Sequence, residues 1–449
     1  MRRTHRTPQE RPGGPTKELP RLRANYERML DVGAGAPSLG AMNGLIASHL
    51  RPGHPDFLDL PWEVPLAEWE GRTARLERMP RGESRHVVAF VDYDGRVYAL
   101  KAMQPGHAER EYHLLRQMEE RELPAVTPVG HLEAETSGGP VSVLITRYLA
   151  HSLPYHMLFS TPQPAVPPTV PGPSDAERHR ERLLDALASL LVQLHIGGVF
   201  WGDCSLFNTL FLRDAGTLQA VLVDAETSEV QTTLSDALRA ADIDLMEENV
   251  AGGLLDLIAV GVLDADYPAF ETAAEVRRRY GALWSEVRRV ETIDARERWR
   301  IGERVRALNA LGFSVGEIAL ARDDSDREHF TVRVAVTDRS HHRRLLHALT
   351  GLETQEHQAR TLSNEITELR ATMSQERNRS ASLGAAAFRW LEERYRPLAA
   401  RLREVDPNMS AAELYCDILE YKWLVSEREQ RDVGHEAALA GYLAMRATA

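Results

Sequence analysis

The chain has 449 residues, 43% apolar and 27% charged, with a formal net charge of −12. That length exceeds one ordinary core and implies two or three domains. The acidic balance argues against a general nucleic-acid binder, which needs a basic face to neutralise phosphates, so no nucleic-acid partner is expected. Two cysteines, Cys204 and Cys416, are too few for a zinc site or a disulfide framework, and a reducing, cytoplasmic setting is the expectation.

Residues 1–20 carry Pro8, Pro12, Pro15 and Pro20 behind Arg2, Arg3 and Arg6, with no apolar segment after the arginines. This reads as a disordered tail, not a signal peptide. No run approaches the ~18–20 apolar residues of a membrane span, so no transmembrane segment is expected. Residues 21–79 read as an N-terminal helix and connector. Leu22, Tyr26, Met29 and Leu30 recur at helical spacing and predict helix over 21–50; Pro52, Pro55, Pro61 and Pro65 then break the chain.

Residues 80–150 change to strand patterns. Val87–Val91 is apolar and β-branched, Asp92-Tyr93-Asp94-Gly95 reads as a turn, and Val97–Leu100 as the return strand ending at Lys101. A helix follows from about His107 to Glu122, with Tyr112, Leu115 and Met118 on one face. A second hairpin is predicted from Val129–Ala134 and Val141–Thr146 about a Ser137-Gly138-Gly139 turn. Residues 151–235 open with a Pro-rich insertion at 161–174, expected to be a surface excursion. A long helix then runs from about Asp175 to Gly197, its Leu184, Leu187, Leu190, Leu191 and Leu194 stripe serving core packing. Residues 236–449 read as a mainly helical C-terminal domain. Within it Phe330–Val336 alternates as a strand, 352–380 is charged and weakly apolar like a coiled or exposed helix, and Ser410-Ala411-Ala412-Glu413 is a capping box opening a last helix with Leu414, Ile418, Tyr421 and Trp423.

The stretch with most chemistry is Trp201-Gly202-Asp203, with Asn208 five residues after the Asp, and Val223-Asp224-Ala225-Glu226 beyond a β-like run. An Asp, an Asn five residues on, and a later Asp at a strand end, with a strand Lys well upstream, is the order a phosphotransferase uses for its base, metal ligands and phosphate contact. On this reading Asp203 accepts or orients the proton of an acceptor hydroxyl. Asn208 and Asp224 supply oxygens to Mg²⁺. Lys101 contacts the ATP α/β-phosphates, and Glu111 holds Lys101, with Glu109 as the competing carboxylate. Gly82, in Arg81-Gly82-Glu83-Ser84, is the candidate for covering phosphates. His195 is read as closing a helix, where the C-terminal dipole favours it, instead of as catalytic. The His341-His342-Arg343-Arg344 cluster is read as a solvated helix face.

Residues of about 80–230 resemble the lipopolysaccharide kinase branch of the protein-kinase-like superfamily, related to the RIO-type and aminoglycoside/choline kinases. The matching residues are Trp201-Gly202-Asp203, Asn208 and Val223-Asp224-Ala225-Glu226. The whole chain also resembles a bacterial family of unknown function in which such a lobe precedes a helical C-terminal domain. The resemblance implies an α+β, two-lobed protein-kinase-like fold: a small antiparallel-sheet lobe, a helical large lobe, then the helical domain. It implies ATP and Mg²⁺ as cofactors and a hydroxyl acceptor on a sugar, glycolipid or other small molecule, or a protein Ser/Thr. Departures are clear. The eukaryotic glycine-rich loop and Ala-Pro-Glu segment are absent, Trp201 replaces the usual His, and Glu226 stands where eukaryotic kinases place Gly. They leave an inactive nucleotide-binding sensor or scaffold as the alternative, with a protein partner on the C-terminal helices, and AMP transfer as a third outcome.

Overall fold

In the computed structural model, residues 44–79, 86–160, 175–289, 291–294, 297, 299–300, 302–303, 315–322, 328–336, 341–376, 379–402, 405–406 and 409–448 are described. The expected tail at 1–20, the helical pattern at 21–43, Gly82 and the Pro-rich 161–174 lie outside them.

Alternating apolar residues build the first lobe. β1 (Leu45–Leu50), β2 (Leu76–Glu77), β3 (Val88–Tyr93), β4 (Arg96–Met103), β5 (Pro128–Thr136) and β6 (Gly139–Arg147) form one antiparallel sheet in the order β1-β5-β6-β4-β3-β2. Helix α1 (His107–Glu120) lies between β4 and β5 in sequence and packs on β5 and β6. Each strand turns alternate side chains to opposite faces. On one face Leu100, Val91, Val143 and Ile145 pack against Phe57, Leu60, Trp62 and Trp69 of the Pro-rich connector. The connector is therefore loop-like but far from loose: both indoles are buried and donate to backbone carbonyls, Trp62 to Phe57 and Trp69 to Val64. On the other face Met103 and Leu144 meet Tyr112, Leu115 and Met118 of α1. The helix expected across 21–50 is wrong for its end, because residues 45–50 are strand. β1 buries only Leu45 fully and is held by its ladder to β5, a partner that local spacing cannot reveal.

The second lobe follows from β7 (Leu153–Pro154), α2 (Tyr155–Ser160) and the long α3 (Asp175–Ile196). The leucine stripe of α3 is core, with Leu184, Leu187, Leu190, Leu191 and Leu194 all buried. Short β8 (Val199–Phe200) pairs with β11 (Glu229–Val230), and β9 (Thr209–Asp214) and β10 (Thr217–Leu222) form a hairpin between them. Helices α4 (Asp236–Ala259) and α5 (Ala269–Arg288) pack on each other, and α5 on α3. Met246, Val250, Leu254, Val276 and Tyr280 thus share the core of the second lobe. Packing of that lobe continues across the boundary expected at residue 235.

The remainder holds a second sheet, β12 (Glu291–Asp294), β13 (Val315–Arg322) and β14 (Glu328–Val336), antiparallel in the order β12-β14-β13. Of these, only the β14 pattern was legible. Helices α6 (His341–Thr350), α7 (Glu356–Glu376), α8 (Leu383–Trp390), α9 (Arg396–Leu402), α10 (Ala411–Glu429) and α11 (Gly434–Thr448) enclose a core of their own around Trp390, Tyr395, Tyr415, Leu362 and Ile366. The charged 352–380 stretch is thus not an exposed helix. α7 buries Ala359, Leu362, Glu365, Ile366, Leu369 and Met373 along one side, and buried Glu365 accepts from the Trp390 indole (2.6 Å) and the Tyr415 hydroxyl (2.9 Å). α10 is not the last helix, and only half of its expected capping box forms. Ser410 Oγ accepts from Glu413 N (3.1 Å), but the Glu413 side chain turns elsewhere.

Candidate active site

Strand alternation turns Lys101 away from the connector core. Leu100 faces the connector core, so its neighbour on β4 must face α1. Lys101 Nζ lies 3.0 Å from Glu111 Oε2 and 2.8 Å from Asp224 Oδ2. Glu111 shares the buried face of α1 with Ala108, Tyr112 and Leu115, and its Oε1 accepts from Ala225 N at 3.0 Å. The competitor Glu109 is exposed and faces His113. Burial works to lower the Lys101 ammonium, but Glu111 and Asp224 outweigh it and hold it above its ordinary value. Burial also pushes Glu111 up, against the pull of Lys101 and with help from Asp224, while Asp224 itself stays below its usual range because Lys101 overcomes its own desolvation. One ammonium shared by buried Glu111 and part-buried Asp224 leaves an excess negative charge.

Asp203 lies in the loop between β8 and β9. Asn208 Nδ2 donates to Asp203 Oδ2 (2.9 Å) and to its carbonyl (3.1 Å), and Asn249 Nδ2 from α4 donates to Oδ1 (3.1 Å). The loop is suspended from buried Asp242, also on α4, which accepts from Trp201 N (2.7 Å) and Gly202 N (2.9 Å). His195 completes this support: Nε2 lies 3.0 Å from Asp242 and Nδ1 2.7 Å from the Tyr280 hydroxyl. A neutral imidazole donating to Asp242 and accepting from Tyr280 satisfies both contacts. His195 is therefore structural, as expected, but through these partners more than through a helix dipole. Gly202 has φ +78°, and a Cβ there would sit 2.9 Å from Thr227 O, so glycine is required.

Trp201 joins the two halves. Its fully buried indole donates to the Asp224 carbonyl at 3.1 Å, and its own carbonyl accepts from Thr227 Oγ1 (3.0 Å) and Ser228 Oγ (3.2 Å). Asn208 and Asp224 themselves stand at the two ends of the β9–β10 hairpin, closed by Val223 N donating to Asn208 O at 3.1 Å. Beside it, Leu222 exchanges backbone hydrogen bonds with Pro124 and Val126, which follow α1 and so tie Glu111's helix to Asp224. Lys101, Glu111 and Asp224 thus touch, Asp203 and Asn208 touch, and backbone and indole contacts join the two groups. Gly82 lies outside the described residues.

The hairpin tip is held by the C-terminal helices. Asp214 accepts from His357 N (3.1 Å) and Gln358 N (2.8 Å) at the start of α7, and Glu413 of α10 accepts from Ala215 N (2.8 Å) and Gln358 Nε2 (2.8 Å). In the basic cluster nearby Arg343 and Arg344 are exposed, as a solvated helix face should be, and His342 pairs with Glu356 and Arg344 with Glu122.

Sequence reading missed Asp242 and Asn249, although each sits in an otherwise apolar stripe of α4 beside Ile243, Met246 and Val250, which is a usable signal. It also assigned nothing to Glu226, whose oxygens lie 3.0 Å from His86 Nε2 and 3.0 Å from His107 Nδ1.

This architecture is the two-lobed, protein-kinase-like α+β fold, followed by a C-terminal region with its own helical core. Residues 96–273, from β4 into α5, match the lipopolysaccharide kinase (Kdo/WaaP) family, and residues 282–446 match a domain of unknown function, DUF4032. No curated protein matches the chain. Among solved structures it is similar to WaaP in complex with acyl carrier protein, at 17% identity and a TM-score of 0.32, covering 59% of this chain and 99% of that one. Among the described residues, no helix is long and apolar enough to cross a membrane.

Proposed function

We propose that the chain is an ATP- and Mg²⁺-dependent phosphotransferase acting on a hydroxyl of a sugar, glycolipid or other small molecule. The observation that carries this reading is the meeting of Lys101, Glu111 and Asp224 beside the bonded pair Asp203 and Asn208. Lys101, oriented by Glu111, would bind the α/β-phosphates. Asp203, fixed by Asn208 and Asn249, would orient the acceptor hydroxyl and take its proton. The donor set fits a hard divalent cation: Asp224 offers a carboxylate, and Asn208, whose Nδ2 is committed to Asp203, offers its Oδ1. When bound, Mg²⁺ would neutralise charge building on the transferred phosphoryl group. A small-molecule acceptor is preferred to a protein Ser/Thr because the sequence carries no Ala-Pro-Glu peptide-docking segment. ATP and the buried thiols of Cys204 and Cys416 both suit the cytoplasm.

The test is transfer from γ-labelled ATP with Mg²⁺ to sugar and glycolipid acceptors. Asp203→Ala should abolish transfer while Mg-ATP still raises the melting temperature, since a ligand that binds only the folded state stabilises it. Full-rate transfer in that variant would remove Asp203 from the chemistry. A second reading, a non-catalytic nucleotide sensor, draws support from the grip of α7 and α10 on the hairpin that bears Asn208 and Asp224. It requires Mg-ATP binding without labelled product, and α-labelled ATP would expose AMP transfer.

A further inference from the structure

We propose that His86, Asp224 and Glu226 form a second divalent-cation site, one that takes an imidazole nitrogen and therefore favours Mn²⁺ over Mg²⁺. One ligand atom from each residue lies within 4.8 Å of the others, close enough for a single ion to bridge them. Its position over a bound triphosphate rests on the phosphotransferase reading; its capacity to hold an ion does not.

The first argument is the chemistry of the His86 ring. Nδ1 lies 3.2 Å from the Ala102 carbonyl and Nε2 lies 3.0 Å from Glu226 Oε2. The Ala102 oxygen is an acceptor, so Nδ1 is the nitrogen that donates to it. Donation from Nδ1 to a backbone carbonyl is the arrangement that orients metal-bound histidines. It turns Nε2 toward the Glu226 carboxylate, so a cation between them would be held from both sides.

The second argument is charge. Lys101 is shared by Glu111 and Asp224, and Glu226 adds a third carboxylate two residues further on. A site this acidic accepts a triphosphate only with added positive charge. Location is the third argument. His86 lies just ahead of β3. His107, the first residue of α1, holds the other Glu226 oxygen at 3.0 Å and so orients that carboxylate from behind. An ion here would join the sheet, α1 and the Asp224 loop. Ligand type sets the preference: mixed imidazole and carboxylate ligands suit Mn²⁺ and its neighbours, whereas Mg²⁺ keeps to oxygen.

The experiment titrates Mn²⁺ into the nucleotide-free, full-length protein, with affinity from calorimetry and ligand type from pulsed electron paramagnetic resonance. Wild type should bind Mn²⁺ at least about tenfold more tightly than Mg²⁺ and show nitrogen coupling from an imidazole. His86→Ala should abolish that coupling, and His86→Ala and Glu226→Gln should each weaken Mn²⁺ by at least about tenfold. His107→Ala should retain the coupling. Bound Mn²⁺ without nitrogen coupling in the wild type, which needs no variant to fold, overturns the proposal, as does an unchanged affinity in folded His86→Ala. That outcome would leave His86 as a partner of Glu226 alone. Nitrogen-coupled Mn²⁺ in a protein that binds no ATP would keep the cation site and sink the phosphotransferase reading. Labelled transfer without the coupling would do the reverse.

Discussion

Asp242→Ala removes the carboxylate from which the Asp203 loop hangs. Asp242 is fully buried and accepts from Trp201 N at 2.7 Å and Gly202 N at 2.9 Å, with His195 Nε2 at 3.0 Å. Hydrogen bonds to a charged group contribute about 1.5–3 kcal/mol each, and a buried donor stripped of its partner costs about 1–3 kcal/mol. Two backbone donors and one imidazole therefore bound the loss at several kcal/mol. Relaxation and entry of water reduce it to an expected ~4 kcal/mol, a large share of the ~5–15 kcal/mol that stabilises a typical domain. Asp242→Asn keeps the shape but turns an N–H toward one backbone donor, so roughly half that loss is expected. The assay is urea denaturation followed by tryptophan fluorescence, to which buried Trp201 contributes, paired with amide exchange over residues 199–208. Both variants should speed exchange at Trp201 and Gly202 and depress transfer, because Asp203 loses its backbone support. If Asp242→Ala unfolds within about 1 kcal/mol of wild type, with exchange at those two amides unchanged, the suspension argument is refuted.

Three further outcomes follow from the same contacts. Lys101→Met leaves Glu111 and Asp224 facing each other without a cation. Mg-ATP should no longer shift the melting temperature, and a destabilisation of about 3–5 kcal/mol at pH 8 should shrink at pH 5, where a carboxylate can take a proton. Glu413→Ala strips the acceptor from Ala215 N and Gln358 Nε2; a cost of about 3 kcal/mol is expected, with faster amide exchange along 209–222, whereas Glu413→Gln should recover part of it. Asp417 has its carboxyl pushed up to about 7 by burial and then by Glu413, against the Tyr442 hydroxyl bond. Its folded value lies above its unfolded one, so its contribution is most favourable below about pH 4 and declines as pH rises toward 7. Asp417→Asn should flatten the fall in stability over that interval, measured as melting temperature against pH.

What could be seen in advance was local. Lys101 is legible because alternation along Val97–Leu100 fixes which face of the strand it occupies. Glu111 is legible because Ala108, Tyr112 and Leu115 mark the buried side of its helix. Asp203 and Asn208 are close in sequence, so loop chemistry alone places their side chains together. Three-stranded pairing at 291–336 was harder, since β12 is short and its partner strand lies 35 or more residues away in sequence. The charged α7 looked exposed because its apolar residues are sparse; a single stripe suffices when another domain core waits to receive it.

The amino-acid order by itself determined β3 to β6 and α1 of the first lobe and the identity of the amine, amide and carboxylates proposed for the site, because periodicity and short spacing act within one element. Only the tertiary structure decided that Asp242 and Asn249 support Asp203 from 39 and 46 residues away, that His86 meets Glu226 across 140 residues, and that Glu413 grips the hairpin across 198. Those contacts join groups whose separation along the chain carries no periodic signal. They form because packed cores bring distant backbone donors and carboxylates together in places where neither can be left buried without a partner.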